Sequence, residues 1–161
     1  MSRKEITEHL SELLEQHIDP LNDARIYWAK EVTFDYATSH SVRVDYMRFL
    51  PLNNSTSGIE KGDVYCYEVK SSVDDFQSRH GHNLIGDLNY YVMPEDVYEA
   101  VKAKIPHFVG VLIPDGHGGL TYKQKAKRVD RTKPVSEMLM MMWRSSRRDL
   151  VKMRREAMRN A

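Results

Sequence analysis

Residues 63–70 of this chain read Asp-Val-Tyr-Cys-Tyr-Glu-Val-Lys. The run alternates apolar residues with a few polar ones and is rich in β-branched and aromatic side chains, which predicts a strand. Side chains alternate between the two faces of a strand, so Glu68 and Lys70, two positions apart, point the same way. A carboxylate and a lysine therefore share one face at the end of this strand.

A second apolar run, Val42 to Leu50, precedes the first and contains Asp45. The segment between the runs is rich in Asn, Ser, Thr and Gly, which is typical of a hairpin loop. If Leu50 pairs with Asp63, Asp45 lies directly opposite Glu68, with Cβ atoms roughly 5 Å apart. Two such carboxylates can hold one divalent cation, and a neighbouring lysine can orient a water. The pattern indicates metal-assisted cleavage of a phosphodiester, provided that the register does not slip by one residue.

With Asp on one strand and Glu-x-Lys on the next, the chain resembles the PD-(D/E)XK nuclease superfamily and, within it, the MmcB-like DNA-repair nuclease group. The matching blocks follow in order along the chain: Glu31-Val32, Arg43-Val44-Asp45, Tyr67 to Ser72 with Asp75-Phe76, Asp87 to Asp96, and Gly110 to Gly116. Glu-x-Lys alone is common, so the succession of blocks gives the match its specificity. Residues 78–83 lack the Lys-Trp pair and the following Tyr expected there, which affects substrate contacts more than metal binding.

The resemblance implies a restriction-endonuclease-like α/β fold, with a mixed β-sheet flanked by helices. It implies that Asp45, Glu68 and the backbone carbonyl of Val69 bind Mg²⁺ or Mn²⁺, and that Lys70 orients or activates the attacking water. A further acid often comes from the first helix in this superfamily. The candidates for that acid are Glu8, Glu12 and Glu15 on the first helix and Glu31 on a candidate edge strand.

Three polar residues close to Lys70 in sequence are candidates for the wall of the cleft: Ser71, Gln77 and His82. The alternative interpretation is polar surface at a helix start. His80 and His82 form a His-x-His pair, but no cysteine or carboxylate lies at a spacing typical of zinc sites, so zinc is not expected. One of these imidazoles could instead contact a phosphate or carry a proton.

Composition limits the possible protein classes. With 161 residues and 41% hydrophobic content, the chain is predicted to form a single domain over residues 1–161, with a core at 1–133 and a C-terminal helix at 134–161. The single cysteine, Cys66, excludes a disulfide within the chain. The sequence carries no signal-peptide pattern and no apolar run long enough for a membrane span, so a cytoplasmic protein without membrane contact is expected.

Charge is divided unevenly along the chain although the net charge is only +1. Residues 121–161 carry 13 Lys and Arg against 4 Asp and Glu, whereas residues 1–120 carry 11 against 19. A basic arm beside an acidic, cation-collecting site suits a phosphate-backbone substrate such as DNA. The alternative is a solvated helix with many arginines. The predicted nucleic-acid contacts are Lys125, Lys127, Arg128, Arg144, Arg147 and Arg148.

The order of elements predicts an α/β layout. A capping box at Ser2 to Glu5 begins a first helix, and Asp19-Pro20 ends it. The later predicted elements are an extended segment at 26–34, strands at 42–50 and 63–70 around a loop at 51–62, a short helix from Ser72, a strand at 88–93, a helix opened by Pro94, a buried strand at 108–113, a turn at 115–119 and an amphipathic helix from about Pro134. In that last helix, the stripe predicted to pack inward is Leu139, Met142, Ser146, Leu150, Met153 and Ala157, with the arginines outward.

These patterns lead us to expect a Mg²⁺- or Mn²⁺-dependent nuclease acting on DNA, in repair, recombination or phage-type DNA processing. Two alternatives stay open: a non-catalytic DNA-binding or scaffold module on the same fold, and a nuclease acting on RNA. A homodimer is also considered, because the start of the last helix is rich in methionine, which suits a core or a dimer interface.

Overall fold

A six-stranded β-sheet lies at the centre of the computed structural model, which describes residues 1–78 and 80–161. The strands are β1 (Tyr27–Phe34), β2 (Val42–Leu50), β3 (Asp63–Val69), β4 (Leu88–Val92), β5 (Gly110–Pro114) and β6 (Leu120–Gln124). The helices are α1 (Arg3–Ile18), α2 (Thr56–Glu60), α3 (Val73–Gln77), α4 (Glu95–Val101) with a 3-10 turn at Lys102–Lys104, and α5 (Val135–Arg159).

The strands lie in the sheet in the order in which they occur in the chain. β1, β2 and β3 form an antiparallel meander, β3, β4 and β5 are parallel, and β6 returns antiparallel to β5. The parallel pairs require crossovers, and the connections that contain α3 and α4 supply them. The predicted mixed α/β fold, with flanking helices and a long C-terminal helix, is confirmed.

Helix α1 covers one face of the sheet. The predicted capping box is present, because the Glu5 N–H donates to Ser2 Oγ and the Ser2 N–H donates to Glu5 Oε2. The buried side chains of the helix, Leu10 and Leu14 among them, pack on β-sheet residues such as Val92. Burial of these side chains fixes α1 across the strands, so its exposed face lies beside the end of β3.

The other face is covered by two groups of helices. Met138 and Met142 of α5 pack over β1, β2 and β3, in a cluster that includes Val64 and Cys66 of β3. α3 and α4 pack over β4 and β5, through Phe76, Val97 and Val101. Strand alternation puts Glu68 and Lys70 on the same face as Val64 and Cys66. The end of β3 thus lies between the two groups.

The predicted inward stripe of α5 is wrong in part. The buried residues are Met138, Met142 and Ser145, whereas Leu150 is 37% exposed and Met153 is 66% exposed. All three buried residues lie in the first half of the helix, and most residues after Asp149 are exposed. Apolar residues at helical spacing therefore occur on two faces of α5, and the sequence does not distinguish the packed one.

Two further elements differ from the predicted path. The loop at 51–62 contains the short helix α2, which Ser55 caps by accepting a hydrogen bond from the Gly58 N–H. Strand β6 was not predicted, because it is short and mostly exposed at the edge of the sheet. Among the described residues, no helix combines the length and the apolar character that crossing a bilayer requires.

Candidate functional site

The register assumed from the sequence is the one that the structure has. Leu50 pairs with Asp63 and Tyr46 pairs with Tyr67, so the next position brings Asp45 opposite Glu68. The Val69 N–H donates to Asp45 Oδ2 at 2.8 Å. The Asp45 carboxylate is thus bound to the backbone of β3 at the residue between Glu68 and Lys70.

Glu68 is buried to an unusual degree for a carboxylate. It is 1% exposed, and neither of its side-chain oxygens has a hydrogen-bond partner within residues 1–78 and 80–161. Burial, and then the negative charge of Asp45, raise the pKa of Glu68 to about 9. A carboxylate in this position is stable only if it binds a proton or a cation.

Asp45 shares this environment in part. Burial raises the pKa of Asp45, and the Val69 N–H and the positive charges of Lys70 and Arg43 oppose that rise. The two acids differ, since Asp45 accepts a well-aligned hydrogen bond from the Val69 N–H, whereas the Asn83 N–H near Glu68 forms no such bond with it. Glu68 is therefore the carboxylate of the pair that holds a proton at neutral pH unless a cation replaces it.

Lys70 is directed toward a loop rather than toward solvent. It is 2% exposed, its Nζ donates to the His80 carbonyl at 2.7 Å, and the same Nζ lies 3.5 Å from the Asp75 carbonyl. Burial lowers the pKa of the Lys70 ammonium, and the nearby acids, Asp75 first, oppose that shift. Two carbonyls hold the ammonium in place beside the two carboxylates.

Gly81 closes the site from the loop side. Its φ is +69°, a conformation that favours glycine, and a Cβ added there would lie 2.7 Å from Lys70 Nζ and 3.3 Å from Glu68 Oε2. Any larger residue would therefore meet both groups. Sequence reasoning missed Gly81, although a glycine between two histidines next to the Glu-x-Lys strand is a signal that could have indicated it.

The site opens into a cleft of about 1200 Å³ between α1 and the end of the sheet. Asp45, Val69 and Lys70 line the cleft. All four acids considered for a third carboxylate line it as well: Glu8, Glu12, Glu15 and Glu31. The side chain of Glu15 is already bound, because the Tyr46 hydroxyl donates to it at 2.7 Å and Lys30 pairs with it at 3.5 Å.

Glu31 stands out among these acids through its backbone. Its neighbours Lys30 and Val32 pair with Tyr46 and Val44, so Glu31 faces Asp45 across the β1–β2 ladder. Its φ is +51°, which is strained for a residue with a side chain. Three acids, Glu31, Asp45 and Glu68, therefore lie in one row across β1, β2 and β3.

The other predicted cleft residues have structural contacts instead. The Ser71 N–H and hydroxyl donate to Asp75 Oδ2, and Gln77 is exposed at the end of α3. The His82 ring lies against Tyr91, with Nδ1 2.7 Å from the Tyr91 hydroxyl and Nε2 2.7 Å from the Phe76 carbonyl. None of these three side chains lines the cleft in the part of the chain that the structure describes.

The six predicted nucleic-acid contacts fall on two separate surfaces. Lys125, Lys127 and Arg128 follow β6, and Arg128 pairs with Asp63 at the far end of β3 from Glu68. On α5, Arg144 and Arg147 are exposed, whereas Arg148 donates to the Glu31 carbonyl at 3.0 Å and the Lys30 carbonyl at 3.1 Å. Arg148 thus fixes the strained segment of β1.

Sequence reasoning missed the basic residues that line the cleft itself: Arg3, Lys30, Arg43 and Lys152. Arg43 lies two positions before Asp45, so strand alternation could have indicated it. Arg3 and Lys152 come from the two ends of the chain, and only the packing of α1 and α5 brings them to the same cleft. The cleft therefore combines acids beside the buried pair with cations around its rim.

A divalent cation fits this donor set. No group of three or more His, Cys, Asp or Glu side chains in the described residues is arranged to hold a metal ion. Two carboxylates with one carbonyl are nevertheless enough for Mg²⁺, which keeps several of its waters. The carboxylate oxygens of Glu68 and Asp45 are hard ligands of the kind that Mg²⁺ and Mn²⁺ prefer.

The fold of this chain is shared by a protein of known structure. No protein-family model matches the chain, and no curated protein matches it. Among solved structures, the chain is similar to the SPO1766 protein of unknown function from Silicibacter pomeroyi, with 18% sequence identity, a TM-score of 0.63, and coverage of 92% of this chain and 90% of that chain. The mixed α/β architecture described above is therefore shared by a second protein over almost its whole length.

Proposed function

We propose that this chain is a Mg²⁺- or Mn²⁺-dependent nuclease of the restriction-endonuclease-like fold that hydrolyses phosphodiester bonds in DNA. The observation that carries the proposal is Glu68, a fully buried carboxylate without a well-aligned hydrogen bond in the described chain, next to Asp45 and Lys70, which line an open cleft. The resemblance of the Asp and Glu-x-Lys motifs to PD-(D/E)XK nucleases supports the same assignment.

In this proposal Asp45, Glu68 and the Val69 carbonyl hold the cation. A bound Mg²⁺ or Mn²⁺ would lower the pKa of a coordinated water and screen the charge of the scissile phosphate. Lys70 positions the attacking water and can accept its proton in the neutral form, since burial lowers the pKa of its ammonium. The carbonyls of His80 and Asp75 keep the Lys70 Nζ oriented for that task.

The rim of the cleft supports a polyanionic substrate. Arg43 and Lys152 line the cleft from β2 and α5, and Arg3 lines it from the start of α1, so phosphates on either side of the scissile bond would find cations. Acids of α1 also line the cleft, so a cation held by the carboxylate pair would be needed to offset the negative charge that a phosphate chain meets there. The choice of DNA rests on the resemblance, because the chemistry itself also allows RNA.

The test measures cleavage and metal uptake on the same variants. Wild type should cleave supercoiled plasmid or single-stranded DNA with Mg²⁺ or Mn²⁺, and Lys70→Ala should abolish cleavage while still binding DNA. Asp45→Asn should lose Mn²⁺ binding in isothermal titration calorimetry. Lys104→Ala, which removes an exposed lysine after α4, serves as the control and should retain both activities.

The outcomes separate the alternatives. Retained metal-dependent cleavage by purified Lys70→Ala would contradict the mechanism. DNA binding by wild type without any cleavage or metal uptake would support the non-catalytic DNA-binding module instead. Cleavage confined to RNA substrates would keep the chemistry and change the substrate.

A further inference from the structure

A row of tyrosine rings crosses the α1-facing side of the sheet, away from the cleft. Tyr65, Tyr67, Tyr90 and Tyr122 follow one another, with ring centroids 6.5, 5.6 and 5.8 Å apart. Tyr67 and Tyr90 are buried, while Tyr122 is 45% exposed and Tyr65 is half-buried. The row therefore has a buried centre and reaches the surface at both ends.

Gly110 makes this row continuous across β5. A Cβ added to Gly110 would lie 2.2 Å from Tyr90 Cε1, so the glycine leaves room for the Tyr90 ring to pack against β5, and this ring lies 5.8 Å from the Tyr122 ring on β6. The Tyr90 hydroxyl is held at the far edge by the Ala126 N–H, at 3.3 Å. The Tyr90 ring, in the buried centre of the row, is thus held by its packing and by this hydrogen bond.

Cations lie over both terminal rings. The Arg48 guanidinium lies 5.9 Å from the Tyr65 ring centroid, and Lys125 Nζ lies 5.6 Å from the Tyr122 centroid. Arg48 Nε is buried and has no hydrogen-bond partner among the residues that the structure describes. Lys127 adds exposed positive charge next to Lys125.

The carboxylates near this surface already have partners. Asp63 binds Arg128, and Asp19 accepts hydrogen bonds from Trp28 Nε1 and from the Asp23 N–H. Arg48 and Lys125 form no ion pair within the described residues. Both cations are thus free to receive an external anion beside a flat ring.

We propose that this surface, formed by Arg48, Tyr65, Tyr122 and Lys125, binds single-stranded nucleic acid. On binding, the Arg48 and Lys125 side chains would move from the rings to the phosphates, and unpaired bases would stack on the rings in their place. A duplex keeps its bases stacked on one another, so it cannot use the rings. An acidic peptide would use the cations but would leave the rings without a planar partner.

The surface is separate from the cleft. Tyr65 lies near the start of β3 on the α1 side, whereas Glu68 and Lys70 lie near its end on the other face. Binding at this surface therefore does not depend on the proposed nuclease activity. A strand held there would be anchored at a second point of the molecule.

The test is fluorescence anisotropy of a labelled oligothymidylate with the full chain, in EDTA so that no metal site contributes. Tyr122→Ala should weaken binding about tenfold, because one stacked base is lost, while Tyr122→Phe should bind as wild type. Lys125→Ala should weaken binding several-fold at low salt and make the salt dependence shallower. Lys104→Ala, the same change at another exposed lysine, should bind as wild type.

Three results would overturn the proposal: no oligothymidylate binding by wild type, unchanged binding by Tyr122→Ala, or equal affinity for an abasic oligonucleotide of the same length. The last result would indicate attraction by charge alone. Circular dichroism shows whether Tyr122→Ala keeps its fold. Tyr122→Phe keeps the ring and its packing, so it serves as a second control for lost stacking. Cleavage assays on the same variants with Mg²⁺ test the nuclease proposal independently.

Discussion

Replacing Glu68 by glutamine should make the metal-free protein more stable at neutral pH. The pKa of Glu68 is raised from 4.5 to about 9, so at pH 7 the folded state holds a proton that the unfolded state has released. Because folding at pH 7 must bind this proton, 2.5 pH units above the unfolded-state pKa, the free energy of unfolding is lower by about 3 kcal/mol. The glutamine amide is neutral at every pH and avoids this cost, so Glu68→Gln should gain up to about that amount.

The sign follows from the direction of the pKa shift. Because the folded-state pKa is raised, the contribution of Glu68 to stability is complete below about pH 4.5 and is lost as the pH rises toward 9. Urea unfolding in EDTA, followed by circular dichroism at pH 5 and pH 7, measures the difference. The exposed control Glu156→Gln should change the free energy of unfolding by less than about 0.5 kcal/mol.

Metal should reverse the order of stability. At about one thousand times its Kd, Mn²⁺ should stabilise wild type by about 4.1 kcal/mol, which exceeds the gain of about 3 kcal/mol expected for Glu68→Gln, and should leave that variant unchanged. A Glu68→Gln variant that is less stable than wild type at pH 7 in EDTA would refute the reasoning. It would mean that the Glu68 carboxylate has a stabilising partner in the folded protein.

Three further predictions follow from the site and its supports. Gly81→Ala should sharply reduce plasmid cleavage, because the added Cβ would meet Lys70 Nζ. Gly116→Ala also places a side chain at a positive φ, +79°, but has open space around it, so it should lower the thermal stability and leave cleavage unchanged. Arg148→Ala should lower the free energy of unfolding in urea by about 2 kcal/mol, because it removes the hydrogen bonds of Arg148 to β1. The control Arg147→Ala should change this free energy by almost nothing, and equal effects of the two variants would contradict the prediction. The affinity for Mn²⁺ should rise about tenfold per pH unit between roughly pH 6 and 8, because Glu68 must lose its proton before it can bind the ion. An affinity that calorimetry shows to be independent of pH over this range would contradict this prediction.

The strands that carry the site could be predicted because their signals are local. The hairpin loop fixes which residues of β2 and β3 face each other, and the pairing of Leu50 with Asp63 then determines the position of Asp45. The first helix was predicted correctly for the same reason, since its capping box lies within four residues. Local geometry and local composition agree in these elements.

The rest depends on packing between distant segments. β6 is an exposed polar edge strand, so it lacks the apolar pattern that predicts strands. His82 was expected at the cleft, but contacts with Phe76 and Tyr91 direct its ring inward. The strained backbone of Glu31 depends on Arg148, which lies more than a hundred residues later in the chain. No local pattern carries these relations.

The central claim is that Asp45, Glu68 and the Val69 carbonyl bind a divalent cation beside Lys70. Crystals soaked in Mn²⁺, with anomalous diffraction recorded at the manganese edge, test it most directly. We expect one peak between the two carboxylates, within about 2.0 to 2.4 Å of their oxygens. No peak there at saturating Mn²⁺, or a Glu68 carboxylate hydrogen-bonded to protein groups in the same crystals, would contradict the account.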